Sequence, residues 1–299
     1  MTATVTSTAI HPATHMGRVA VAVADLDRSL AFYRDVLGFA VLAQTADHAV
    51  LGAGGTPLLE LAAAPGARPA PPAATGLYHF AILVPSRADL AAWLLHLAES
   101  GYPLDGAADH LVSEALYLSD PDGNGIEVYR DRPRADWPRR DGQILMATDP
   151  LDLQALLDEA RAAGRPWAGL PAGTRLGHMH LRVGDLAAAR AFYHDVLGFD
   201  VMVDLSRFGA LFVSAGGYHH HLGLNIWESR GGRAAPPGHA GLRFFTVELP
   251  AAGALAAVRD RLAAAGVPFR EAAGTLEAAD PWDNRISFRV AADGAPAPG

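Results

Sequence analysis

The chain has 299 residues, 50% hydrophobic and 19% charged, with a formal net charge of −8 and no cysteine. That length supports a sizeable core in one large domain or two of roughly 150 residues, and it excludes disorder as the main state. The acidic balance argues against a nucleic-acid partner, and the missing cysteine removes disulfides, thiolate metal sites and cysteine nucleophiles, so any metal must use His, Asp or Glu.

In chain order, residues 1–14 lack the basic start and apolar stretch of a signal peptide and read as a mobile tail, as do 291–299. No run of about 18 apolar residues follows, which predicts a cytoplasmic protein without a membrane segment. Alternation over 18–23 predicts a half-buried strand. It leads into DLDRSLAFYRDVLGF at 25–39, a helix capped by Asp25 and closed by the glycine of LGF. GLYHFAILVP at 76–85 predicts a further strand, an Ala/Leu helix follows as far as Gly101, and DPDGN at 120–124 marks a late hairpin. Proline- and glycine-rich linkers occupy 65–72, 132–173 and 231–238. The middle one carries an amphipathic segment at 149–163, with Trp137 and Trp167 available to cover a cavity mouth or an intersubunit surface.

The pattern then repeats. DLAAARAFYHDVLGF at 185–199 matches 25–39 at ten of fifteen positions, at an offset of 160. GLRFFTVELP at 241–250 echoes 76–85, and DPWDN at 280–284 supplies the last hairpin. Four strand–helix–strands modules are therefore expected, over roughly 15–65, 76–132, 176–230 and 240–290. Phe32, Tyr33, Phe192 and Tyr193 read as helix faces turned to the core, and His48, His96, His194 and His239 as structural or surface histidines.

This order of motifs resembles the vicinal oxygen chelate superfamily (glyoxalase, bleomycin resistance, extradiol dioxygenase) over nearly the whole chain. The resemblance implies an α+β fold of four βαβββ modules forming two half-barrels around a metal. In chain order it gives a first domain at 15–132, a linker with a helical segment at 133–173 and a second domain at 174–292. Family metal ligands lie near the start of a module's first strand and in its last strand. Those positions hold Arg18 and Glu60 in module one, His79 and Glu127 in module two, His178 with a residue of 219–225 in module three, and Phe244 and Ser287 in module four. Phe and Ser make no metal site, Arg18 repels a cation, and Glu60 with Arg18 reads as an ion pair.

Pairing module two with module three collects His79, His178 and Glu127. This two-His, one-carboxylate set leaves cis positions on Fe(2+) for a bidentate substrate and O₂, and Mn(2+) is compatible with the same ligands. The resemblance extends to the extradiol enzymes: Tyr117 stands ten residues before Glu127, His110 precedes it, and His219, His220 and His221 follow His178 by 41 to 43 residues. In an alternating strand only one or two of three consecutive histidines can face the site, and His220 is the choice for acid–base work. His180 and Asn225 are expected to orient the ligands.

The implied activity is extradiol cleavage of a catechol to a muconic semialdehyde, as in the bacterial catechol 2,3-dioxygenase group, with catechol and O₂ as partners and a homo-oligomer compatible with the family. Two alternatives stand beside it. One is a glyoxalase- or epimerase-like lyase or isomerase that uses Glu60, His79 and Glu127 through sequential pairing of modules one and two. The other is a drug-binding protein without catalysis.

Overall fold

The computed structural model describes residues 9–291. Module one comprises β1 (His15–Val23), α1 (Leu26–Ala31) running into a π-helical turn (Phe32–Val36), β2 (Ala40–Gln44), β3 (His48–Ala53) and β4 (Thr56–Ala63). Module two comprises β5 (Gly76–Leu83), α2 (Arg87–Ser100), β6 (Gly106–Asp109), β7 (Ser113–Ser119) and β8 (Gly125–Asp131). The connecting segment holds a small hairpin, β9 (Arg139–Arg140) and β10 (Gln143–Ile144), and then α3 (Leu153–Ala163). Module three comprises β11 (Arg175–Arg182), α4 (Leu186–Arg190) with its own π-helical turn (Ala191–Val196), β12 (Asp200–Leu205), β13 (Ala210–Ser214) and β14 (Leu222–Asn225). Module four comprises β15 (Gly241–Leu249), α5 (Ala252–Ala264), β16 (Phe269–Ala272), β17 (Thr275–Ala279) and β18 (Arg285–Val290).

Local chemistry accounts for the helix starts. Asp25 accepts the Arg28 N–H at 3.0 Å, Ser86 the Asp89 N–H at 3.2 Å and Asp185 the Ala188 N–H at 2.8 Å, which satisfies donors that an uncapped first turn leaves free. Gly101 ends α2 at φ 71°, a left-handed conformation that glycine adopts without a Cβ penalty. Of the two expected tails, 1–8 and 292–299 lie outside the described residues. Residues 9–14 correct the expectation, because Ile10 and Thr14 are buried and the Ile10 N–H donates to the Gly198 carbonyl at 2.8 Å.

Two curled eight-stranded sheets form, ordered β16-β17-β18-β15-β1-β4-β3-β2 and β12-β13-β14-β11-β5-β8-β7-β6. Each joins two modules through their first strands, which run antiparallel: β1 with β15, and β5 with β11. The division into 15–132 and 174–292 therefore follows the chain and not the sheets, which combine module one with four and module two with three. Within a module the first strand is an open edge, and an open edge must find a partner. Sequential modules stay tied through helices instead. The Tyr33 hydroxyl donates to Asp120 at 2.8 Å, and the Tyr193 hydroxyl donates to Asp280 at 3.0 Å.

One face of each sheet feeds a common core, with Val19 and Val21 from β1, Phe80 and Ile82 from β5, and Met179 and Leu181 from β11. Period-2 alternation sends the intervening side chains to the inner face of the curl. Among the described residues no helix is long and apolar enough to cross a membrane.

Asp280 also accepts the Trp282 and Asn284 N–H groups at 2.9 Å each and the Asn284 side-chain amide at 2.8 Å. Asp280→Ala leaves several buried donors without a partner. Urea unfolding is expected to show a loss of at least about 1–3 kcal/mol, and an unchanged midpoint would contradict this tie.

Candidate metal centre

Alternation along four adjacent strands builds the centre. On β5, His79, Ala81 and Leu83 face inward while Phe80 and Ile82 enter the core; β11 sends in His178 and His180, β8 sends in Glu127 and Tyr129, and β7 sends in Ala115 and Tyr117. Register then converges them. Ala81 pairs with His178 on one side and with Glu127 on the other, so a methyl group occupies the middle and larger side chains meet above it. Gly223, opposite His180, is required by that ring, because a Cβ there would lie 2.9 Å from its Cγ.

His79 Nε2 and His178 Nε2 are 3.3 Å apart, and Glu127 Oε2 lies 3.0 Å from the first and 3.1 Å from the second. All three side chains are buried. Among the described residues this is the one group of His, Asp and Glu that could hold a metal ion. The donor set fits such an ion. Cis ligands at about 2.1 Å from one octahedral metal are about 3.0 Å apart, and three mutually close donors are a facial set. Burial alone pushes the Glu127 carboxyl up, but His178 and His79 together hold it well below the usual carboxylate range. Burial lowers His79 despite Glu127 beside it. An ionised carboxylate with neutral imidazole is the protonation state that a divalent cation needs. His178 Nδ1 has no hydrogen-bond partner, and the ring is held by aromatic packing, with Tyr129 at 4.9 Å and His220 at 4.2 Å between centroids.

Around these three stand the other expected residues. His110 Nδ1 is 2.6 Å from the Ala147 carbonyl, and His110 Nε2 is 2.6 Å from the Tyr117 hydroxyl. A carbonyl only accepts, so Nδ1–H donates to it and Nε2 of the neutral ring is an acceptor for the tyrosine O–H, for which the Glu127 carboxylate is a second acceptor. Tyr117 pairs directly with Glu127 across β7 and β8, and burial with that negative charge raises its pKa well above the ordinary value.

The three consecutive histidines correct the strand expectation, because they lie in the bend before β14 and point three ways. His220 lines the cavity. His219 Nε2 is 2.8 Å from Asp131, and its Nδ1 is 2.8 Å from His220 Nδ1. His221 accepts the Ala215 N–H at 3.2 Å and turns to Ser214. In a neutral His219 ring that donates to Asp131 through Nε2–H, Nδ1 accepts from His220 Nδ1–H and leaves His220 Nε2 as that ring's basic nitrogen. Tyr218 O–H also donates to Asp131 at 2.9 Å, and Trp137 packs on Tyr218 and His219. Trp137 therefore packs behind Tyr218 and His219 and does not cover a mouth, while Trp167 stacks on His96 at 4.6 Å. The Asn225 amide donates to His180 Nε2 at 3.0 Å.

The Asp131–His219 pair and the Ala147 carbonyl were missed by sequence reasoning. Asp131 stands four residues after Glu127 on one strand, hence on the same face, which was a usable signal. Glu60 corrects the lyase alternative. It sits on the other sheet, 2.7 Å from Arg18 and 3.3 Å from His48, and never approaches His79 or Glu127.

The comparisons agree with this architecture. The chain belongs to the Glyoxalase/Bleomycin resistance protein/Dioxygenase superfamily, whose profile matches residues 15–128 and 175–288. It is 48% identical over 277 residues to a catechol-2,3-dioxygenase of Bacillus subtilis (strain 168), across 92% of this chain and 96% of that protein. Two solved structures share the fold. One is a candidate dioxygenase from Bacillus subtilis subsp. subtilis str. 168, with a TM-score of 0.62 and 15% identity over 95% of this chain and 85% of that one. The other is glyoxalase I from Zea mays, with a TM-score of 0.56 and 19% identity over 92% of each chain.

Burial, reinforced by neighbouring histidines, pushes His180, His220 and His221 well below the ordinary histidine range. They stay neutral in the folded protein while the unfolded chain takes up protons below about pH 6.5, so stability falls as pH drops. Metal-free protein is expected to lose up to about 1.4 kcal/mol per pH unit for each such histidine, read by urea titration between pH 8 and pH 5. His221→Gln should flatten the slope; an unfolding free energy that is level across this range would refute the assignment.

Proposed function

We propose that this chain is an Fe(2+)-dependent extradiol dioxygenase, working in the cytoplasm on catechol or a substituted catechol and O₂ to give a muconic semialdehyde. The observation that carries the reading is the convergence of His79, His178 and Glu127 at 3.0–3.3 Å beside His220, His110 and Tyr117. The 48% identity to a catechol-2,3-dioxygenase over nearly the whole chain supports it. His79, His178 and Glu127 would hold the ion, and Mn(2+) suits the same donors. Bound there, it would supply one centre that acidifies the diol and gathers diol and O₂ side by side.

The rest is done by side chains. His220, its Nδ1–H committed to His219, takes a diol proton at Nε2 and later returns it to the cleaving fragment; Asp131 offsets the charge that this creates on the pair. Tyr117, its O–H held between His110 and Glu127, accepts a hydrogen bond from the diol and orients the ring. The buried setting strengthens each of these contacts relative to water.

Anaerobic loading with Fe(2+), followed by O₂ and a panel of catechols, is expected to give the yellow ring-opened product. Glu127→Ala should weaken iron retention by more than about 100-fold, beyond the effect of losing an orienting partner; an iron-replete, active Glu127→Ala variant would sink the metal assignment. His220→Gln should retain iron and lose about 10²–10⁴-fold in kcat, and full activity in that variant would remove His220 from proton transfer.

A further inference from the structure

The cavity at this centre is larger than a bare diol ring requires. Its volume is about 750 Å³, in the upper part of the roughly 300–1,000 Å³ of pockets that enclose drug-sized ligands. The metal-site side is polar, whereas module three contributes a wall of Val203, Leu205, Phe208, Phe212 and Trp227. Phe208 is 61% exposed and Trp227 51%, and both of these solvent-facing aromatics line this one cavity. Scattered exposed apolar residues need no explanation, but two on the wall of one cavity mark a binding surface.

The wall is also held in place. The Trp227 indole N–H donates to the Phe208 carbonyl at 2.9 Å, and its ring meets Tyr78 at 5.4 Å and His180 at 5.5 Å. Gly209 between them adopts φ 80°, and a Cβ there would stand 3.1 Å from the Trp227 ring. The cavity's arginine is partly engaged: the Arg182 guanidinium lies 5.4 Å from the Tyr78 ring centroid and 3.2 Å from Glu228, while its Nε is buried without a hydrogen-bond partner. That cation is shared with Tyr78 and Glu228, and the face left for a ring substituent is the apolar wall.

We propose that this wall is a subsite for a neutral apolar substituent, an aryl group or alkyl chain, carried on the diol ring. The inference rests on the catechol reading above and specifies its substrate class. Hydrophobic pockets discriminate by roughly tenfold or more for each added group they bury, and a charged substituent loses hydration against such a wall.

The test begins with metal-free full-length protein and ligands that cannot be cleaved. By titration calorimetry, 4-phenylphenol is expected to bind at least about tenfold more tightly than phenol, and 4-hydroxybenzoate no more tightly than phenol. Phe208→Ser and Trp227→Ser should shrink the phenylphenol-to-phenol ratio, and Phe208→Leu should retain most of it. Equal affinities for phenol and 4-phenylphenol, or a preference for 4-hydroxybenzoate that makes Arg182 the anchor, overturns the subsite. The iron-loaded enzyme with catechol and 4-phenylcatechol separates the two readings. Cleavage of catechol without an apolar preference in binding removes the subsite alone. Tight 4-phenylphenol binding with no diol cleaved leaves the subsite standing and removes the dioxygenase.

Discussion

The antiparallel seam between β5 and β11 is the contact on which the centre depends. It brings together strands from different halves of the chain, with His180 opposite His79 and His178 opposite Ala81. Side chains on paired strands sit about 4.5–5.5 Å apart at Cβ, within reach of a shared ion. A slip of one residue in that register would turn His178 toward the core and send Met179 inward, and the apolar load on the core face opposes it. The same hydrophobic alternation that stabilises the sheet thus holds the three candidate ligands in phase.

A cluster of buried polar groups is costly unless each hydrogen bond is made, and here the partners also impose direction. The Ala147 carbonyl turns His110 into an acceptor at Nε2, and Asp131 passes the corresponding constraint through His219 to His220. His110 and His220 are thereby oriented, one by a backbone carbonyl and the other by a carboxylate acting through His219. Both constraints come from segments near the end of module two and just beyond it, which gives the connection at 133–173 a part in shaping the cavity through Met146, Ala147 and Thr148.

The outer sheet shows what the same framework does without such a centre. At corresponding positions Arg18 and Glu60 form an ion pair, the Arg18 N–H donates to Thr246, and the antiparallel seam of β1 with β15 is kept. Duplication preserved the seam because an open first strand must be covered in either sheet, while the side chains above it were free to differ. The Tyr33–Asp120 and Tyr193–Asp280 ties were likewise kept in both copies, linking modules that share no sheet.

Much of this was written in the linear order of residues. The repeat of DLxxxxAFYxDVLGF, the strand alternation and the late DP hairpins specify four modules, because periodicity and capping act over a few residues. That His79, Glu127, His178, Tyr117 and His110 gather in one place was legible through their spacing and their resemblance to a family pattern. The pairing of module two with module three was legible only indirectly, through the side chains that make a ligand set together, because strand pairing is a contact between distant edges. The tertiary structure decided the register of the β5–β11 seam and the matching seam of β1 with β15. It also decided which way each of three adjacent histidines points, because a bend obeys no period of two. The Asp131–His219 pair and the aromatic wall around Trp227 belong to the same class: they arise where separate segments meet, and hydrogen-bond direction and apolar contact exist only once the chain has brought them together.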